Sequence, residues 1–154
     1  MSEQGSSSEA PRWLRYARDD LLGADALLDR KDIPPRLACF HGQQSAEKAL
    51  KALLILRGVD PPKTHDLFAL RALLPGDLDV GATDEELVAI SKWAVGPRYP
   101  DDLPEATEED ARETVEQACE IYEAALEDLL RHGYTLESGE GAHERNNAET
   151  EERD

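Results

Sequence analysis

Four side chains on one short stretch carry chemistry that a merely packed helix does not need. His41, Gln44, Lys48 and Lys51 recur at steps of three and four residues. On a helix they fall within about 80° of one another, so a titratable ring, an amide and two ammonium groups share one edge. Such an edge could bind an anion or a nucleotide. It could equally make hydrogen bonds at a contact between two chains, with the lysine stems laid along apolar surface. Gln43 and Glu47 stand four residues apart on the adjacent face, where they can satisfy each other or hold a neighbouring helix in register. Arg98 and Tyr99 lie between Pro97 and Pro100. They could supply a phosphate contact and a stacking ring, or they could cap a helix and cover the core. His65 and Asp66, after Thr64, read as pinning a turn, and His132 and His143 read as solvated.

These residues need helices to position them. Trp13, Leu14, Ala17, Leu21, Ala24 and Leu28 recur at helical spacing and predict a helix over about 10–28, with Pro11 in its first turn. A second helix is expected over about 34–57, opened by Pro34 and Pro35 and stopped at Gly58. It is apolar around about half its circumference (Ala38, Cys39, Ala46, Ala49, Leu50, Leu53 and Leu54), while Leu37, Phe40 and Ile55 add apolar groups on the other side. Such a helix is central or is covered by a partner chain. Thr64 is expected to cap a short helix over 65–74. Thr83 and Glu86 form a capping-box pattern for another, running to about Val95. Thr107, with Asp110 at the third position, opens a last long helix that Gly133 ends. Its expected core stripe is Val115, Ala118, Cys119, Tyr122, Ala125, Leu126 and Leu129. Strand-like alternation is absent from the sequence. The fold class expected is all-α, an antiparallel up-and-down bundle of four to five helices over residues 10–133, with a disordered segment at 1–9 and a disordered acidic tail at 134–154.

The 154 residues suit one domain. The formal net charge is −17, and the seven acids against two arginines in residues 137–154 leave −12 on the rest. A surface so acidic repels phosphate backbones, which argues against DNA binding over a broad face and leaves room only for a local basic pocket. Cys39 and Cys119 lie in apolar helical contexts with no CxxC or Cys/His grouping, so free thiols are expected, with no zinc site and no cofactor. The start has no apolar run, and no stretch approaches the ~20 apolar residues of a membrane span. A cytoplasmic protein without membrane association is expected.

The segment CFHGQQSAEKALKALLILRG, residues 39–58, continues into VDPPKTHDL, residues 59–67. Together with Pro97-Arg98-Tyr99-Pro100, it resembles the HEPN family, specifically the small stand-alone proteins often encoded beside a minimal nucleotidyltransferase. The resemblance spans about residues 10–132. It implies a four- or five-helix bundle, usually homodimeric, with a role in nucleotide binding or RNA cleavage. In many members it implies a toxin whose antitoxin is the nucleotidyltransferase. Active HEPN ribonucleases carry an Arg followed four to six residues later by a His, and Arg36 and His41 fit that spacing. Two positions depart from the pattern. Leu37 stands where a polar residue commonly follows the Arg, and Gln43 stands where some paired toxins carry a modified tyrosine.

Arg36 and His41 are chemically sufficient for metal-independent endoribonuclease action. Histidine can move protons near neutral pH, and arginine can hold a phosphate through two hydrogen bonds. A five-residue offset nevertheless places the two about 140° apart on an ideal helix, so they converge only if Arg36 curls back or if two chains build the site together. In that reading Arg36 holds phosphate, His41 moves protons, and Gln44, Lys48, Lys51, Arg98 and Tyr99 bind the nucleotide. The alternative is a non-catalytic nucleotide-binding or dimerisation module.

Overall fold

The computed structural model describes residues 8–94, 102 and 105–138. Five α-helices account for its regular structure and no strand occurs among the described residues: α1 (Ala10–Leu28), α2 (Pro35–Leu56), α3 (Leu67–Ala72), α4 (Asp84–Ser91) and α5 (Glu108–Arg131). Local chemistry sets most of the boundaries. Prolines open α1 and α2, where a missing N–H costs nothing. Gly58 and Gly133 follow α2 and α5 with φ of 74° and 88°, the left-handed conformation glycine adopts without a Cβ clash. Thr83 and Thr107 each accept from the third backbone N–H of their helix, while Glu86 and Asp110 accept in return from the cap N–H. Both capping boxes therefore form as the sequence implies. α3 begins two residues later than expected. The Asp66 carboxylate accepts from the backbone N–H groups of Phe68 and Ala69 and is the cap, while the Thr64 hydroxyl accepts from Asp66 N–H one step earlier.

α2 is the central rod. It packs most extensively on α1 and next on α5, with smaller contacts to α3 and α4. Leu14, Leu50, Leu53, Leu54, Leu67, Leu70, Leu87, Ile121 and Leu129 are fully buried and form the main core. Fully burying a Leu or Ile side chain is worth about 1.5–3 kcal/mol. A second cluster (Ala24, Ala38, Cys39, Trp93, Ala111 and Val115) fills the other end. Burial there pushes the Cys39 thiol up to about 11, so it is an inert packing group at neutral pH. Cys119 is half-buried, and Ile121 takes a place in the core stripe of α5. Two close approaches fix how the helices sit. A Cβ on Gly42 would lie 2.9 Å from Thr114 Cγ2, and one on Gly81 would lie 2.4 Å from the Glu120 carbonyl oxygen.

Polar cross-links tie the ends. The buried Asp128 accepts from both Arg57 Nη1 and Nη2, at 2.7 and 3.1 Å, and Ser45 Oγ donates to the Ala17 carbonyl at 2.8 Å. Tyr134 and Leu136 pack against the core, and Arg15 donates to the carbonyls of Leu136 and Ser138. The packed unit thus continues a few residues past Gly133 as irregular chain. Among the described residues no helix is long and apolar enough to cross a membrane.

Candidate functional site

The polar edge of α2 meets α1 through two carboxylates. Asp20, on α1, accepts from His41 Nδ1 at 3.1 Å and pairs with the Lys48 ammonium. An ionised carboxylate can only accept, so the ring proton sits on Nδ1 and the Nε2 edge points away from Asp20. The His41 side chain keeps 38% of its surface accessible, against 15% for Asp20. This is the arrangement of an oriented imidazole: a sheltered carboxylate holds a ring that is itself partly accessible. Phe40 supports the ring from the side, with centroids 5.2 Å apart in edge contact.

The second carboxylate is Glu47, itself buried. Its Oε1 accepts from His65 Nδ1 at 2.8 Å and from Gln43 Nε2 at 3.3 Å, and its Oε2 accepts from Lys51 Nζ at 3.0 Å. Gln43 is wholly buried. It also donates to the His65 carbonyl at 3.0 Å and accepts from Gln44 Nε2 at 2.6 Å. Every buried side-chain nitrogen and oxygen among the described residues has a partner, as a low-dielectric interior requires. The expected Gln43–Glu47 pairing across one turn therefore exists, and His65 pins the segment before α3 onto α2.

These contacts divide the sequence candidates. His41, Gln44 and Lys48 are partly open along one edge. Lys51 has only 10% of its side chain accessible, paired with Glu47 and with its ammonium 5.9 Å from the centroid of the Trp13 ring, so it belongs to the interior network. Arg36 is exposed in the first turn of α2 and makes no hydrogen bond or ion pair among the described residues. Leu37 beside it is 38% exposed. At about 100° per residue Arg36 and His41 thus bound a face of α2 whose middle holds Leu37, Phe40 and Gln44, and no contact joins the two among the described residues. Arg98 and Tyr99 lie outside the described residues.

A groove of about 450 Å³ opens where α1 meets the polar edge, lined by Glu9, Arg12, Trp13, Tyr16 and Lys48. A second recess, about 50 Å³ and lined in part by Leu27, Ile33, Ala38 and Ala111, has room for a few waters at most and holds none of the candidates. Sequence reading overlooked Asp20 and the groove residues of α1. The signal was present: Trp13, Tyr16 and Asp20 recur at steps of three and four and share one edge of α1, but Trp13 reads as core and an acid on an amphipathic helix reads as solvated.

The HEPN domain model matches residues 10–129. A protein of Methanocaldococcus jannaschii named "Putative toxin MJ1304" is 29% identical over 142 residues, covering 82% of this chain and 91% of that protein. The crystal structure of TT1696 from Thermus thermophilus superposes with a TM-score of 0.67 at 35% identity, covering 79% of this chain and 99% of that one. That of ST0689, described as an archaeal HEPN homologue, superposes with a TM-score of 0.62 at 28% identity, covering 78% and 97%. With a family match over most of the chain and the same bundle in solved structures, this protein belongs to the HEPN domain family.

Proposed function

We propose that this HEPN protein acts on RNA as a dimer, as a toxin-type, metal-independent endoribonuclease of the cytoplasm held in check by a minimal nucleotidyltransferase. The observation that carries the reading is the His41–Asp20 pair, an accessible imidazole held by a sheltered carboxylate at 3.1 Å. His41 Nε2 takes the proton of the 2′-hydroxyl as that oxygen attacks the adjacent phosphorus. The bond to the 5′-oxygen then breaks, leaving a 2′,3′-cyclic phosphate, and the leaving oxygen receives a proton from the imidazolium of a second copy or from water. Asp20 keeps the ring oriented and stabilises its charged form. Arg36, exposed and without a partner among the described residues, offers the bidentate cation that the developing phosphorane charge needs. Arg36 and His41 flank one outward face, so a second copy laid over Leu37 and Phe40 brings its own Arg36 and His41 to the same seam. Gln44 and Lys48 line that edge, and Arg98 and Tyr99 are proposed as further contacts from the segment after α4.

A non-catalytic module is the second reading. Leu37 after Arg36 and the engagement of Lys48 and Lys51 by carboxylates favour it. Incubating purified protein with a labelled single-stranded RNA beside His41→Ala separates the two. The account expects wild-type cleavage faster by about 10²–10⁴-fold, the usual worth of one acid–base group. Equal residual cleavage in both proteins eliminates the ribonuclease and leaves the binding module.

A further inference from the structure

Apart from Lys48, the residues lining the groove on α1 have no part in the cleavage chemistry. Trp13 and Tyr16 present two aromatic rings in one concavity of about 450 Å³, within the range of small-ligand sites. Tyr16 is 49% exposed, which leaves much of its ring open to a ligand in the groove. Each ring already carries a cation. Arg12 lies 5.8 Å from the Tyr16 centroid and Lys51 lies 5.9 Å from that of Trp13. Lys51 is buried while Trp13 is only partly so, and Trp13 also lines the groove. Such rings offer a stacking platform to the π-face of a base.

The charges add direction. Arg12 and Lys48, the latter shared with Asp20, both line the groove, and Glu9 contributes a carboxylate beside Arg12, their closest atoms 4.0 Å apart. A phosphate is driven from Glu9 toward the cations, and a base edge is driven the other way. A carboxylate accepts from two adjacent N–H donors at once. Among the common bases guanine presents such a pair, N1–H and N2–H, and it is also the most electron-rich. We propose that this groove binds a guanosine phosphate, with the base stacked on Trp13 and Tyr16, its Watson–Crick edge at Glu9 and its phosphate at Arg12 and Lys48. The proposal rests on the nucleotide-engaging reading above and names the base that the reading leaves open. The guanosine can be a free nucleotide or one residue of an RNA strand, since both present the same groups.

The two tryptophans, Trp13 and Trp93, allow a test on the full chain. The indole N–H signals of ¹⁵N-labelled protein are followed by NMR during titration with GMP, AMP and a guanosine-containing tetranucleotide, Trp93 serving as the internal control in the core. The expected result is a saturable shift of Trp13 alone, with GMP bound at least about fivefold more tightly than AMP. Tyr16→Ala should weaken GMP by about tenfold, a typical loss for one stacked base. Arg12→Gln should weaken it as well, and Glu9→Ala should abolish the preference over AMP. All three side chains are exposed, so folding is not at stake. Tighter binding of the tetranucleotide than of GMP identifies a strand as the source, and the reverse order identifies a free nucleotide; both keep the assigned chemistry. RNA that binds or is cleaved while Trp13 does not move, or AMP that binds as well as GMP, overturns the groove assignment and leaves the proposed function standing. No binding or cleavage of any of these ligands removes both.

Discussion

At the scale of single residues, carboxylates decide what the cations can do. Asp20 and Glu47 take up Lys48 and Lys51, so the polar edge of α2 has little free positive charge and its character comes from oriented donors and acceptors. Asp128 plays the corresponding structural part. Burial alone would push its carboxyl up, but the hydrogen bonds and charge of Arg57, with help from His132 and Arg131, hold it below the ordinary carboxylate range. A carboxyl lowered in the folded state stabilises the fold above its unfolded pKa of about 3.9, and that contribution is lost as the pH falls through the folded value. Asp128→Asn should therefore cost about 2–3 kcal/mol at pH 7, the low end for a broken buried pair because Arg57 can reach water. The deficit relative to wild type should shrink at pH 3, as urea denaturation at the two pH values would measure. An equal deficit at both would remove the ion pair as the cause.

At the scale of elements, local chemistry fixed what the sequence could reveal. The two capping boxes, the proline starts and the glycine stops act within a few residues, so α1, α2, α4 and α5 were legible to within a few positions. The start of α3 was less so, because Thr64 and Asp66 compete as caps and the choice is settled when His65 docks onto Glu47. The site was legible in part. The His41, Gln44, Lys48 and Lys51 edge and the Gln43–Glu47 pair follow from helical spacing. That Asp20 closes on His41, or that Lys51 turns under Trp13, depends on how α1 packs across α2, and spacing within one helix carries no such information. The packing itself is testable at Gly42. A Cβ there meets Thr114 Cγ2 at 2.9 Å, so Gly42→Ala should destabilise by about 1–3 kcal/mol as overpacking does. Thr114→Ser removes that methyl, and the double variant should recover most of the loss in a thermodynamic cycle. Purely additive losses would show that α2 and α5 are not in contact there.

At the scale of the whole molecule, a chain of net charge −17 restricts the proposed contact with RNA to a small seam. The α1–α2 edge is where oriented imidazole, amide and aromatic groups gather, while the outward face of α5 carries Glu109, Glu113, Glu116, Glu120, Glu123 and Glu127, all exposed. One copy leaves Arg36 and His41 on opposite margins of a face, so the proposed activity belongs to the pair of copies. Mixing two inactive variants tests this most directly. Arg36→Ala and His41→Ala are each assayed for RNA cleavage, then unfolded together in equal amounts, refolded and assayed again. If Arg36 of one copy serves His41 of the other, half of the dimers regain one intact site, and cleavage should return to about a quarter of the wild-type rate. Cleavage that stays at the level of the separate variants would contradict a site shared between copies.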